Sequence, residues 1–395
     1  MNALTGIFWT CLSIVFYSYL GYAFILFCLV KCKKFLFHND LKFETSFQPS
    51  VALVIPAYNE EDFILRKIKN TLELDYPRQK LTIIFITDGS TDQTPGIIKK
   101  YSEFKLMHQS ERKGKSAAMN RAMQMITEPV VIFCDANTLL NKDCINEIVK
   151  HYADPKVGGV AGEKKILQNT TNTTTVSSGE SLYWKYESFI KKMDSEFYSV
   201  VGAAGELLSL RTSLYEVIEE HTIIEDFVLS LRVCLKGYII RYEPKAYAME
   251  TSSVSMKEEQ KRKVRISAGA FQAMLLVKPL FNVIKYPKLS FQFISHRVLR
   301  WAVCPICLVL IFISNLLLEI LSEEAIFTYL FLTQVLFYLF AIMGWILAIN
   351  SVKNKFLYIP YYFLFMNVSV LIGLYRIMTK KQSVLWEKAG RQMLN

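Results

Sequence analysis

Three short polar segments each follow directly on an apolar run. Tyr58-Asn59-Glu60 comes after residues 51–55 and Pro56, Asp88-Gly89-Ser90 after residues 81–86, and Asp135-Ala136-Asn137 after residues 130–134. Carboxylates of this kind can accept hydrogen bonds from a base nitrogen or a ribose hydroxyl. They can also hold a divalent cation through oxygen, or take the proton of an attacking hydroxyl. A further acidic pair, Glu225-Asp226, opens an amphipathic stretch that runs to Leu235. Each group also has an ordinary structural role. Glu60, Glu225 and Asp226 suit the first turn of a helix, Asp88 suits a turn, and Asn137 suits a cap. It is their joint arrival at the ends of apolar runs that points to a site.

The runs themselves explain why. Residues 51–55, 81–86 and 130–134 have the length and composition of buried strands, and 104–107 reads as a shorter extended segment. Residues 60–74 and 114–125 carry helical spacing, and another helix begins near Thr91. Strand and helix alternating at this rhythm predict a parallel sheet with helices on both faces. In such sheets the carboxyl ends of the strands form the ligand crevice, where the three polar segments arrive.

Outside this central region the chain is built for a membrane. Hydrophobic residues make up 52% of it and aromatic residues 13%. Residues 8–30 are uncharged and long enough to cross about 30 Å of hydrocarbon. Lys31, Lys33 and Lys34 follow, so that side is expected to be cytoplasmic; no basic segment precedes the run, as a signal peptide would require. Three more apolar runs cover 301–321, 326–349 and 356–378. The acidic loop with Glu319, Glu323 and Glu324 is expected outside, and the loop 350–355, with two lysines, inside. This scheme puts the basic tail 380–395 outside, against the positive-inside rule, unless Pro360 breaks the last run into a re-entrant or interfacial element.

The formal charge of +11 sits in clusters beside these runs, which suits anionic lipid; no nucleic-acid recognition motif accompanies it. The eight cysteines form no framework, and Cys304 and Cys307 read as packing residues in an apolar run. A reducing compartment follows as the default for the central region. N-glycosylation patterns in the threonine-rich stretch 169–175 carry no meaning there, and the stretch reads as a loop on the acceptor side.

Taken in order, the motifs resemble a known family. They are Val54-Ile55-Pro56-Ala57-Tyr58-Asn59-Glu60-Glu61, Asp88-Gly89-Ser90-Thr91-Asp92, Lys113-Gly114-Lys115 to Asn120, Asp135-Ala136-Asn137, Gly202-Ala203-Ala204-Gly205 and Ile224-Glu225-Asp226-Phe227. Together they look like family 2 glycosyltransferases over about residues 51–272. The flanking apolar runs match its membrane-integrated polysaccharide-synthase branch, with relatives among hyaluronan, cellulose and poly-N-acetylglucosamine synthases.

The resemblance implies a GT-A fold, an α/β domain with a Rossmann-like parallel or mixed sheet, flanked by transmembrane helices. The implied layout is a first membrane helix and linker (1–47), a cytoplasmic glycosyltransferase domain (48–269), interfacial helices (270–300) and a C-terminal membrane region (301–395). By similarity, Pro56, Ala57, Glu60 and Asp88 line the nucleobase and ribose pocket. Lys115 lies near the nucleotide, although a solvated lysine after a glycine turn is the plain alternative. Asp135 and Asn137 correspond to the acidic motif that holds Mg2+ or Mn2+ against the donor diphosphate. An amide replaces the usual second carboxylate there, which makes Asp135 the stronger ligand.

Asp226 fills the place of the catalytic base in an inverting transfer, with Glu225, Gly202 and Ala203 on the acceptor side. In the Gln-x-x-Arg-Trp region Arg262 stands at the Gln position, Arg265 at the Arg position and Ile266 at the Trp position. Arg262 and Arg265 then face the diphosphate, or else belong to an interfacial basic helix. The missing tryptophan leaves processivity open.

The expected partners are a nucleotide-sugar donor (a UDP-sugar), a polysaccharide or lipid-linked acceptor, membrane lipids and export proteins, with no nucleic acid. Two rival readings share the donor residues. One is single-sugar transfer to a polyprenyl-phosphate or other lipid acceptor; the other is a non-catalytic scaffold that kept a nucleotide-sugar pocket. Retention of Asp88, Asp135 and Asp226 together argues against the scaffold.

Overall fold

Alternation along the strands decides how the sheet is buried. The computed structural model describes residues 1–37, 47–167, 175–251, 253, 255–350, 352 and 354–383. In it the first apolar run extends to form β1 (Val51–Ala57). Val51, Leu53 and Ile55 enter one core, while Ala52 and Val54 enter the other on the opposite face. β2 (Leu81–Asp88) and β4 (Val130–Cys134) are buried in the same two-sided manner. The edge strand β3 (Lys105–Gln109) packs half-buried Leu106 on one core and Met107 on the other, and leaves Lys105 and His108 exposed. Each fully buried large aliphatic side chain contributes about 1.5–3 kcal/mol.

β5 (Leu139–Leu140), β6 (Val157–Leu167), β7 (Leu207–Arg211) and β8 (Ile239–Thr251) complete one eight-stranded sheet in the order β3-β2-β1-β4-β7-β6-β8-β5. β1 pairs in parallel with β2 and β4, and β2 with β3. β7 runs antiparallel to both β4 and β6, so the sheet is mixed.

Helices cover both faces. Glu61–Leu72 buries Ile64 and Ile68 in one core, and Lys115–Met123 buries Ala118, Met119 and Ala122 in the other. Glu225–Leu235 adds Phe227, Val228 and Leu231 to the second core. The helix expected near Thr91 starts later, at Thr94–Ile98, with a proline in its first turn. Residues 169–174 of the threonine-rich stretch lie outside the described residues, and its last residue, Thr175, opens the helix Thr175–Phe197. Residues 384–395 of the basic tail also lie outside the described residues.

Met256–Leu276 is one continuous helix, started by Ser255, whose hydroxyl accepts from the Glu258 backbone N–H. The domain boundary expected at residue 269 therefore falls inside a helix. Gly269 is not a break: a Cβ there would stand 2.9 Å from Ile223 and 3.0 Å from Ile224, so the glycine lets the helix approach the segment before Glu225.

Four helices are long and apolar enough to cross a membrane: Asn2–Leu36, Pro287–Leu321, Ala325–Ile349 and Phe356–Met378. The last is unbroken, so of the two alternatives for this run the break at Pro360 is not the one the structure takes. The proline lies in the second turn of the helix Lys355–Met378, where it costs a single hydrogen bond near an end already capped by the Asn354 side chain. Phe8 and Cys11 pack on Cys307, Ile311, Leu318 and Phe327, tying the first helix to the later ones. Gly344 faces the Leu357 carbonyl so closely that a Cβ would fall 2.2 Å from it. Small residues commonly serve such contacts between membrane helices.

Candidate functional site

The site is assembled from the strand ends outward. Asp88, the last residue of β2, is buried, and its Oδ2 accepts hydrogen bonds from the backbone N–H groups of Lys113 (2.9 Å) and Gly114 (2.6 Å). Gly114 has φ +96°, a conformation that glycine adopts without strain. Asp88 thereby fixes the turn that launches Lys115–Met123 and aims Lys115. The Lys115 ammonium lies 2.8 Å from Asp135 Oδ1 and 2.9 Å from Glu225 Oε1. Glu225 and Asp226 are in the first turn of Glu225–Leu235, where the helix dipole favours negative charge.

Lys115, Asp135, Glu225 and Asp226 line one cavity of about 870 Å3. Gly202, Ala203, Arg262 and Arg265 line it too. Gly202 has φ +85°, and a Cβ there would strike the Phe227 ring at 2.1 Å. The Ala203 N–H donates to Ser230 Oγ at 3.1 Å, which binds this turn to the Asp226 helix. Arg262 is engaged by Glu259 at 2.9 Å, and Arg265 Nη1 donates to the Ile223 carbonyl at 3.2 Å.

Burial and the neighbouring Glu225 carboxylate push the Asp226 carboxyl up to about 7, against the opposing pull of Lys115. Burial alone would lower the Lys115 ammonium, but Asp135, Glu225 and Asp226 hold it well above its ordinary value. A carboxyl poised near neutrality beside a fixed cation is suited to taking a proton from a group in the cavity.

The remaining expected residues stand apart from this cavity. Pro56, Ala57, Glu60 and Asp88 are at the ends of β1 and β2 and do not line it. The Glu60 N–H donates to Thr94 Oγ1 at 2.8 Å, and the Arg112 guanidinium covers the Tyr58 ring at 3.7 Å. Asn137 is buried and does not line the cavity either, unlike Asp135. The turn explains this: Thr138 Oγ1 donates to the Asp135 carbonyl at 2.9 Å and folds residues 136–138 back toward the sheet.

Among the described residues no cluster of three His, Cys, Asp or Glu side chains forms a ready metal cage. Mg2+ and Mn2+ sites on nucleotides commonly use one or two carboxylates together with the phosphates. Asp135, already facing the Lys115 cation from the cavity wall, fits that kind of donor set.

Comparison with known proteins bears on the sheet domain. Residues 52–218 match the model of Glycosyl transferase family 2. The match covers less than half of the chain and falls within the sheet domain. The poly-beta-1,6-N-acetyl-D-glucosamine synthase of Staphylococcus aureus strain MSSA476 is 26% identical to it over 266 residues, 64% of this chain and 63% of the relative. The synthase of the same description from Staphylococcus epidermidis is 25% identical over 267 residues, 65% of this chain and 63% of the relative. The chain thus matches just under two thirds of the length of these curated relatives.

A mannosyltransferase from Pyrobaculum calidifontis, solved with GDP-Man and Mn2+, superposes with a TM-score of 0.72 at 20% identity, covering 96% of this chain and 100% of that one. The likeness establishes the fold, which is GT-A with flanking candidate membrane helices.

The sheet domain contributes only part of the cavity wall. Tyr19 of the first membrane-length helix, Trp184 and Trp301, and Tyr358, Tyr362 and Phe363 of the last helix complete it. Sequence reasoning missed these residues. It also missed a buried network behind them, in which His296 Nδ1 lies 2.7 Å from Asp194 Oδ2 and Arg297 Nη1 lies 2.7 Å from Glu187 Oε1. The Tyr22 hydroxyl reaches Asp194 from the first helix at 2.5 Å. A signal existed: His296, Arg297 and Arg300 fall in a helix that continues as an apolar span, where ionisable residues are rarely placed without a use.

Proposed function

We propose that the chain is an inverting glycosyltransferase that moves a sugar from a nucleotide-sugar, a UDP-sugar, to a growing polysaccharide held at the membrane. The observation that carries this reading is Asp226. It is a half-buried carboxyl in a cavity shared with Lys115 and Asp135 on one side and membrane-length helices on the other. The names of the curated relatives favour a polymer product, and the GDP-Man and Mn2+ of the structural neighbour favour a nucleotide-sugar donor and a divalent cation.

In the reaction the acceptor hydroxyl attacks the anomeric carbon as its proton passes to an Asp226 carboxylate oxygen. The bond from that carbon to the diphosphate breaks, and the electron pair leaves with the nucleotide. Asp135 would hold Mg2+ or Mn2+, which when bound supplies counter-charge to the leaving diphosphate. Arg265, with its fork of donors, is placed to steady the same oxygens, with Arg262 beside it. Glu225 holds Lys115 in place and raises the basicity of Asp226, and Gly202 and Ala203 shape the acceptor side. Pro56, Ala57, Glu60 and Asp88 serve the nucleoside from the ends of β1 and β2; Asp88 also fixes Lys115. Asn137 takes a structural part in the Asp135 turn.

The catalytic domain, residues 48–269 continued to the end of Met256–Leu276, lies in the cytoplasm. Residues 1–47 anchor it, residues 270–300 approach the membrane surface, and residues 301–395 form the C-terminal membrane region.

A second reading is single-sugar transfer to a lipid-linked acceptor. It is favoured by Ile266 in place of a tryptophan and by the aromatic, apolar wall that the last helix gives the cavity. Incubating the purified protein with labelled UDP-sugars and Mg2+ or Mn2+ tests both readings. High-mass product supports polymerisation, a single lipid-borne sugar supports the second reading, and no transfer from any donor rejects both.

A further inference from the structure

Three lysine ammonium groups surround the Trp184 ring in the cavity wall, at 5.0 Å for Lys164, 5.3 Å for Lys191 and 5.7 Å for Lys263. Two of them are compensated by carboxylates. Lys164 pairs with Glu206 and Glu250, and Lys263 Nζ lies 3.5 Å from Glu259 Oε1. Lys191 is different. It is 3% exposed, lines the cavity, and has no hydrogen bond or ion pair among the described residues. Glu187, one helical turn away, attracts it but makes no contact with it, because that carboxylate is engaged by Arg297 at 2.7 Å and Arg300 at 3.3 Å. An ammonium withdrawn from water with no carboxylate in contact is unfavourable, and burial lowers its pKa against the more distant pull of Glu187. An anion entering the cavity would remove that cost.

We propose that Lys191, backed by the Trp184 ring, is an anion subsite that receives a phosphate carried on the lipid end of the acceptor. The donor diphosphate is a poorer occupant. The charges that act most on Lys191 are those of Glu187, Arg297, Glu163 and Glu206, and Asp135, Glu225 and Asp226 are not among them. The surroundings select a lipid. Ile359, Phe363 and Met366 of the last membrane-length helix line the same cavity, which gives an isoprenoid chain an apolar wall beside the charge. A neutral saccharide would leave the ammonium uncompensated. The proposal rests on the glycosyl-transfer reading above and holds whether such an acceptor is extended once or repeatedly.

The test uses the full chain in lipid nanodiscs, with tryptophan fluorescence as the binding signal. The probes are a short polyprenyl phosphate, the corresponding uncharged polyprenol, and inorganic phosphate. Wild type should bind the polyprenyl phosphate, with polyprenol weaker by roughly 10- to 100-fold, the worth of a charge-assisted hydrogen bond. Lys191→Gln should lose that same factor, and Lys191→Arg should recover most of it.

Equal affinity for polyprenol and polyprenyl phosphate, or an unchanged Lys191→Gln, overturns the proposal. Inorganic phosphate binding as tightly as the lipid phosphate overturns the lipid assignment. UDP-sugar binding is measured on the same samples. Its retention in Lys191→Gln shows that the variant is folded, whereas its absence in wild type would defeat the glycosyltransferase reading itself.

Discussion

The backbone of Gly205 lies directly against the Asp226 carboxylate: a Cβ built on that glycine would stand 3.2 Å from Asp226 Oδ2 and 3.1 Å from Lys115 Nζ. A methyl group is tolerable only if one of the two charged groups shifts by a few tenths of an ångström. Gly205→Ala should therefore fold but lose turnover by roughly 10- to 100-fold, since small misplacements of reacting groups are expensive. Gly202→Ala should behave differently, because it combines φ +85° with a collision against the Phe227 ring. Thermal unfolding beside a transfer assay separates the two: Gly202→Ala lowers the melting temperature, and Gly205→Ala leaves it near wild type.

Asp135 and Asn137 share a turn, but only Asp135 lines the cavity. Asp135→Ala should abolish divalent-dependent transfer, because the leaving diphosphate loses its bound counter-charge. Asn137→Ala should retain most activity at saturating Mn2+ and show its effect as lowered stability. Equal losses of activity in the two variants would refute this ranking.

The sheet was the most legible part of the chain. β4 matches its apolar run residue for residue, because a short run buried on both faces has few other ways to fold. β1 and β2 run two residues further than their apolar runs, since Ala57 and Asp88 still pair along the ladder although their polar neighbours look like turn. The motifs made Asp135, Glu225 and Asp226 readable. The division between the cavity and the β1–β2 cluster was not, because it depends on where the turn after Asp135 sends Asn137.

Lys191 and Trp184 carried no local signal, since their meaning comes from Lys164, Lys263 and Glu187 and from the last helix. The widened helical segment Ile294–Val303, which places His296, Arg297 and Arg300 among buried partners, breaks the periodicity on which sequence reading relies.

Membrane topology gives a prediction independent of chemistry. The lysines at the end of the first membrane-length helix and in the loop 350–355 predict a cytoplasmic sheet domain and an external loop around Glu323. In a background freed of native cysteines, Glu323→Cys should react with an impermeant thiol reagent in intact cells. Asp92→Cys should react only after permeabilisation. Labelling of position 92 in intact cells would invert the topology.

Removing the cation tests the electrostatics around Asp226. Lys115 lowers the proton affinity of Asp226, while burial, Glu225 and Glu206 raise it. Lys115→Met should shift the pH at which activity appears to higher values, whereas Lys115→Arg should shift it little. If Lys115 only contacted the nucleotide, both variants would weaken donor binding without moving the pH profile.

Asp226→Asn tests the base directly. The amide keeps the size of the side chain but cannot take a proton at neutral pH, and loss of a positioned base costs roughly 100- to 10,000-fold in rate. UDP-sugar binding should survive, and Glu225→Gln should be milder. The wild-type rate should rise with pH through about 7, because the base works only when ionised. Stability should move the other way. A carboxyl whose pKa is raised on folding contributes most below its unfolded value, near 4, and that contribution is lost as pH climbs through about 7. Asp226→Asn does not titrate, so its melting temperature should gain on wild type between pH 4 and 8. A transfer assay and thermal unfolding across that range give both curves. Near wild-type turnover in Asp226→Asn would move the role of base to Glu225, and a flat stability difference would show that Asp226 is not held at a raised pKa.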